Sequence, residues 1–305
     1  MNKLKIAIRN FLWKILGSEN VSLEVKQLRG EMNALFYFLN NFIDIRTLPP
    51  AKDPDLRIMQ LCDVQLLAIL DKVCKKNDLV YWLEFGTLLG AYRHHGFIPW
   101  DDDTDISMPR DSYNRAETIL KDQLSQYGIS VMETDGRIGV GFQHEKTGIW
   151  VDIFPIDVFF SDLSLTDVQT FLLQKINKYF CDVGLSVHMN HTKFIRSLKD
   201  GSEFASYGKN HYLYYCPRWP NDDFFVQNYM DVFPLKEISF ESVLFPVPCK
   251  VEVYLKHIYN DYMQFPRSDV SQHGKDGIPL SARAKIHNVD MNDILSQLQY
   301  IYKML

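Results

Sequence analysis

Four of the five residues from 101 to 105 are aspartates: Asp101, Asp102, Asp103 and Asp105. Carboxylates this close repel one another unless a cation sits among them. Side chains alternate faces along a strand, advancing ~3.3 Å per residue. Asp101, Asp103 and Asp105 would then share one face, with Asp102 turned away. Two carboxylates so spaced can converge on a hard cation, and Mg²⁺ fits such a set, because water and substrate phosphate complete its oxygen shell. Ile106 would pack beneath the site. Trp150-Val-Asp152-Ile-Phe154 reads as a second acidic strand. Asp152 lies between apolar neighbours, an expensive place for a charge that is not used. It would either complete a metal site or act as a general base. Asp157 follows Pro155 and reads as a turn cap.

Gly86-Thr87 stands where a strand hands over to a helix. There a glycine lets the backbone approach a phosphate, and the free N–H groups favour an anion. Arg93-His94 could clamp phosphate oxygens, with arginine as the bidentate partner. His94-His95 is a poor metal pair, because adjacent residues face different ways. His188-Met-Asn-His191 has helical spacing but no obvious partner ligands. The aspartate run lacks the glycine and distal glutamate of an EF-hand. A plain solvated acidic loop fits poorly between Phe97-Ile-Pro-Trp100 and Ile106. Metal-dependent chemistry on a phosphate ester is the reading these residues favour.

The elements that must position them follow from periodicity. Apolar residues at spacings of three and four (Leu28, Met32, Leu35, Leu39 and Phe42) predict a helix over about Ser22 to Ile45. It would serve oligomerisation or pack on the main domain. Leu48-Pro49-Pro50 breaks the pattern and marks a boundary, giving a helical extension over 1–50 and a catalytic domain over 51–305. Within the latter, helices are predicted over Pro54–Asn77, Leu88–Arg93, Pro109–Gln126, Leu165–Phe180, Lys250–Tyr259 and Asn292–Leu305. Strands are predicted over Leu79–Leu83, Asp102–Met108, Ile129–Glu133, Ile138–His144 and Trp150–Phe154. Phe204 to Trp219 reads as aromatic and irregular. The mixture implies an α+β domain around one mixed sheet flanked by helices.

At 305 residues, with 46% hydrophobic content and a net charge of −5, the chain lacks the bulk basic field of a nucleic-acid binder. Five scattered cysteines without CxxC spacing suggest reduced thiols in a cytoplasmic protein. No stretch reaches the ~18–20 apolar residues of a spanning helix. The first seventeen residues carry Lys3, Lys5, Arg9 and Lys14 among Leu4, Ile6, Ile8, Phe11, Leu12, Ile15 and Leu16. They have no small-residue cleavage site. They would form an amphipathic helix, lying on the anionic inner face of a membrane or packed on this domain or a second subunit.

The strings Phe85-Gly-Thr-Leu-Leu-Gly-Ala-Tyr-Arg-His94 and Gly96-Phe-Ile-Pro-Trp-Asp-Asp-Asp-Thr-Asp-Ile106 closely resemble the LicD family, which is related to fukutin. Val151-Asp-Ile-Phe-Pro-Ile-Asp157, Val232-Phe-Pro-Leu235, Tyr254-Leu255, Tyr259 and Asp261-Tyr-Met263 extend the likeness from about Asp55 to Pro266. The resemblance implies a nucleotidyltransferase-like fold, with its glycine turn at Gly86-Thr87, its acidic pair at Asp103 and Asp105, and a third acid at Asp152. Thr87 departs from the glycine or serine of the wider superfamily but keeps a hydroxyl. It also implies transfer of a phospho-alcohol to a cell-surface glycan such as lipopolysaccharide, teichoic acid or capsule, or to a lipid-linked glycan. Phosphocholine from CDP-choline is favoured over ribitol or glycerol phosphate from their CDP esters, and CMP leaves. A non-catalytic nucleotide- or glycan-binding scaffold is the alternative. On this reading Mg²⁺ or Mn²⁺ is held by Asp103, Asp105 and Asp152. Arg93, His94 and the Gly86-Thr87 turn bind phosphate, and Asp152 or Asp101 takes the acceptor's proton. Choline would need aromatic faces; Tyr207, Tyr212, Tyr214, Tyr215 and Trp219 would supply a cage or simply pack.

Overall fold

The chain divides into two compact units, one of Met1–Leu48 with Met263–Asp269, the other of Pro49–Tyr262 with Val270–Leu305. The computed structural model describes residues 18–134, 137–184, 209–215, 224–266 and 279–305. The basic N-terminal stretch, the His188/His191 pair, Tyr207 and Trp219 lie outside these residues. Among the described residues no helix is long and apolar enough to cross a membrane.

In the first unit, helix α1 (Ser18–Phe42) leads to a 3-10 turn over Ile45–Thr47, capped by the Asp44 side chain. Asn40 Oδ1 accepts a 2.7 Å hydrogen bond from the Phe265 N–H, which ties the returning segment to the helix.

The second unit starts at α2 (Pro54–Lys76). Asp53 caps it by accepting from the Asp55 and Leu56 N–H groups, and Pro54 takes the first-turn position that needs no donor. Next come β1 (Trp82–Leu83), α3 (Phe85–His94), β2 (Thr104–Pro109), α4 (Arg110–Leu124), β3 (Ile129–Thr134), β4 (Arg137–Phe142) and β5 (Trp150–Ser161). They are followed by α5 (Leu165–Val183), β6 (Asn210–Tyr215), β7 (Val226–Asn228), β8 (Lys236–Phe240), β9 (Val243–Val247), α6 (Val251–Tyr259) and α7 (Met291–Met304).

The main sheet has the order β1-β2-β5-β4-β3, with β6 and β7 continuing beyond it. Among the described residues, only β2 and β5 are parallel; the other pairs are antiparallel. β5 spans twelve residues, so its first part pairs with β4 and its second part with β6. The result is a mixed sheet flanked by helices, with Leu66, Ile106, Val140, Ile153 and Leu298 in one continuous core. A smaller core joins α5 to Phe159, Tyr212, Tyr214 and Val226.

Several elements differ from expectation. The strand before Glu84 shrinks to Trp82–Leu83, and β2 begins at Thr104, so Asp101 to Asp103 lie in a loop rather than along a strand. Gly86 and Thr87 belong to α3 itself. Asn210–Tyr215, inside the segment read as irregular, is a strand held by β5. Asp157 is in mid-strand and not at a turn, and its carboxylate meets the Arg110 Nε and Nη2 at 3.0 and 2.9 Å.

Candidate active site

Parallel pairing of β2 and β5 sets Asp105 opposite Asp152. Residues in register on adjacent strands share a sheet face, so both carboxylates project to one side. Both are buried. Burial pushes the Asp105 carboxyl well above the ordinary carboxylate range; the charges of Asp103, Asp152 and Asp101 push further, and Arg137 opposes them. A buried group in such company calls for a proton or a cation.

Asp105 is fixed from behind. Its N–H donates to Thr87 Oγ1 at 2.8 Å, and its carbonyl accepts from the Glu84 N–H at 3.0 Å. A Cβ on Gly86 would stand 2.6 Å from Asp101 Oδ2, so only glycine leaves room for that carboxylate. Phe85 just before it has φ 43°, a left-handed conformation costly for a bulky residue, and local strain of this kind gathers at functional sites. Glu84 caps α3 through a 3.3 Å bond from the Phe85 N–H. It is wholly buried, and burial raises its carboxyl while Tyr254, Ser107, Phe85 and Trp82 pull it back by hydrogen bonding. Gly86-Thr87 thus positions the acids. Where an open phosphate cradle was expected, Asp101 lies against Gly86 and Thr87 is buried beneath Asp105.

The acid-bearing loop is braced on its far side. Gln60 Nε2 donates to the Asp101 carbonyl at 2.9 Å. Arg57 makes two 2.7 Å bonds to Glu241, which also accepts from the Phe97 N–H at 3.2 Å. Asp102 is buried.

Asp152 is held differently. Its Oδ1 accepts from Trp150 Nε1 and its Oδ2 from Arg137 Nη1, both at 2.9 Å. The Trp150 ring lies flat over β4, where a Cβ on Gly139 would fall inside the indole and one on Gly141 would come within 2.6 Å of it. The Trp150 N–H donates to Asp63 Oδ1 at 3.0 Å. Asp63 is wholly buried, and burial, followed by the charges of Asp103, Asp102 and Asp101, carries its carboxyl well above the usual range. The Arg137 guanidinium sits 5.4 Å from the Phe154 ring centre, and its buried Nε has no hydrogen-bond partner among the described residues.

Arg93 is buried on α3. Nη1 donates to the Tyr262 carbonyl at 2.6 Å and Nε to His94 Nε2 at 3.0 Å. Burial brings its pKa down to about 10, against the charges of Tyr259 and Asp101. Burial, then Arg93 and His95, take His94 down to about 4. His94 is therefore a neutral acceptor that orients Arg93, not a second cationic clamp. Tyr259 on α6 is 37% exposed as a residue, yet lies within electrostatic reach of Asp105, Glu84, Asp101 and Asp103; desolvation and then those charges push its hydroxyl well above the ordinary tyrosine range.

Asp101, Asp103, Asp105 and Asp152 are thus brought together, with Arg93 and Arg137 beside them. Among the described residues, no three His, Cys, Asp or Glu side chains form a preformed metal cage. Of the three expected metal ligands, Asp152 has both oxygens engaged, by Trp150 Nε1 and Arg137 Nη1. Asp103 and Asp105 remain a hard-oxygen pair suited to Mg²⁺ or Mn²⁺. Tyr214 does not contribute to a cage: its ring is buried with Phe180, Val168 and Val226 in the smaller core. Tyr212 is buried there too. Arg137, Asp63 and Tyr259 were not singled out as site residues by sequence reasoning. The one usable signal for Arg137 was Gly139-Val-Gly141 just after it, since alternate glycines on one strand face announce the close approach of something flat.

Residues 78–181 match the LicD/FKTN/FKRP nucleotidyltransferase domain. Over 60 residues the chain is 48% identical to the lipopolysaccharide cholinephosphotransferase LicD of Haemophilus influenzae, covering 20% of this chain and 23% of that protein. An uncharacterized protein of Rickettsia typhi is 34% identical over 109 residues, 32% of this chain and 35% of its own length. The ribitol-5-phosphate transferase FKTN of Mus musculus is 27% identical over 148 residues, 47% of this chain and 28% of that protein. These matches span between 23% and 35% of the relatives' own length.

Proposed function

For a chain that carries a LicD-type nucleotidyltransferase domain, we propose metal-dependent transfer of a phospho-alcohol from a CDP-alcohol to a glycan hydroxyl, with release of CMP. Phosphocholine is the favoured group, by analogy with the Haemophilus influenzae relative; ribitol phosphate is the second reading, by analogy with the mouse one. The observation that carries the reading is the register of Asp105 with Asp152, with Asp103 alongside and a guanidinium available from each of two elements.

Asp103 and Asp105 would hold Mg²⁺ or Mn²⁺, which when bound neutralises charge on the donor phosphates. Arg93, oriented by His94 and the Tyr262 carbonyl, binds a phosphate oxygen of the donor. Arg137 exchanges its bond to Asp152 for a second phosphate oxygen. That frees Asp152, still oriented by Trp150 Nε1, to take the proton of the acceptor hydroxyl. The acceptor oxygen forms the new P–O bond as the bond to the CMP oxygen breaks. Asp101 is the alternative base. Tyr259 donates toward charge accumulating among the acids. Positioning and charge neutralisation supply most of the rate.

The test measures CMP release with Mg²⁺ from CDP-choline, CDP-ribitol and CDP-glycerol, each with candidate glycan acceptors. Turnover with one donor, lost in Asp103→Ala, supports the reading. Donor binding without turnover against any acceptor in the panel would favour a binding scaffold.

A further inference from the structure

Helix α1 presents an apolar face that is largely uncovered, with Leu39 half-buried. Leu28, Met32, Leu35 and Phe42 are each more than half exposed, and Val25 is 41% exposed. Their order is regular. Val21, Val25, Leu28, Met32, Leu35, Leu39 and Phe42 follow one another at alternating spacings of four and three. That is an unbroken seven-residue repeat over three heptads, and such a repeat drives two helices to wrap in a left-handed supercoil. Val25, Met32 and Leu39 take the a positions; Val21, Leu28, Leu35 and Phe42 take d. A β-branched residue at an a position with leucines at central d positions favours two strands. Gly30, a poor residue for a helix interior, falls at the outward f position, where an added Cβ would meet no other part of the fold within 4 Å.

We infer that α1 pairs with α1 of a second copy of this chain as a parallel, in-register two-stranded coiled coil. The flanking charges select the partner and its direction. Glu24 stands at g and Arg29 at the e position five residues on, and a parallel pair brings g of one strand against that e of the other. Two Glu24–Arg29 contacts therefore form per dimer, one on each side. An antiparallel pair sets g against g, so Glu31 meets its own copy. Neither Glu24 nor Arg29 has an ion-pair partner among the described residues. Glu31 is held within its own helix by Gln27 at 2.9 Å. A lipid surface is the poorer occupant. α1 carries Glu19, Glu24 and Glu31 against Lys26 and Arg29, without the basic excess that draws a helix to anionic lipid.

The experiment uses the full chain. Sedimentation equilibrium should give twice the 35.7 kDa chain mass at low micromolar concentration, and Leu28→Asp with Leu35→Asp should return the monomer mass. Glu24→Arg alone and Arg29→Glu alone should each weaken the dimer about three- to fivefold, and the two together should restore it. Leu28→Cys should cross-link to its own copy under mild oxidation, above the background of the parent chain. These charge substitutions are on the surface, so the test remains readable if the aspartate variant fails to fold. A monomeric parent chain at tens of micromolar would overturn the inference, as would a dimer indifferent to both leucine substitutions. Failure of the charge pair to rescue would overturn the parallel register. Monomers that bind anionic vesicles through α1 would replace the second copy with a membrane.

Discussion

Asp152 and Asp157 lie on the same strand, on opposite faces, each buried and each against an arginine. The Asp157 pair is closed. Arg110 presents Nε and Nη2 to the two carboxylate oxygens in a fork, the geometry that best offsets burial of both charges. The Asp152 pair is open. Arg137 gives it one nitrogen, an indole takes the other oxygen, and the guanidinium Nε is left without a partner among the described residues. The neighbours differ as much as the geometry. Asp152 faces Asp105 across the parallel ladder, where acids outnumber bases. A closed pair holds a strand to a helix. An open pair amid excess negative charge is what the proposed exchange of partners for a phosphate oxygen requires.

Asp105→Ala should separate the two regions most sharply. CMP release is expected to fall by roughly 10³-fold through loss of a metal-binding carboxylate. The melting temperature in a chelator should hold or rise, because a repelled buried charge is removed. A fall in both would mean that Asp105 is structural, like Asp157. Arg137→Ala should lower kcat/KM for the donor by about 10- to 100-fold, the scale of one charge-assisted phosphate contact. Unchanged kinetics would show that Arg137 never leaves Asp152. Arg110→Ala should do the reverse: urea unfolding should show a loss of about 3 kcal/mol, at the low end for a broken buried pair because Arg110 is partly exposed, with turnover per folded molecule retained.

The smallest effect concerns the other closed pair, Arg57–Glu241. Burial alone would raise the Glu241 carboxyl, but the Arg57 and Phe97 hydrogen bonds and the Arg57 charge outweigh it and bring it below its ordinary value. A depressed carboxyl stabilises the fold above the unfolded value of 4.5, and that contribution is lost as pH falls through the folded value. Parent chain and Glu241→Gln should therefore converge in melting temperature as pH falls from neutral to below that value. A gap that stays constant with pH would show that Glu241 acts by shape alone.

How far the site was legible depended on whether its residues carried a local pattern. Asp103 and Asp105 stand out because four acids crowd five positions, Asp152 because charge in an apolar strand is costly, and the helix–strand mixture follows from periodicity. Asp157 was misread because Pro155 suggested a turn, whereas its strand continues to Ser161. A proline in mid-strand is tolerated where no ladder bond needs its missing donor. Asn210–Tyr215 was missed because its aromatic run has no clear alternation; pairing to the far half of β5 makes it a strand. Tyr214 looked available and is core for the same reason. Asp63 reaches the site through a tertiary contact that no spacing announces, and Arg137 is signalled only indirectly, by the alternate glycines that follow it.

The indole of Trp150 rests on two glycines and ends on the one carboxylate whose partner is proposed to change. That makes it a built-in optical reporter. Its emission should change if Asp152 exchanges Arg137 for a bare state, and the difference spectrum against Trp150→Phe would then follow donor binding in real time without a label.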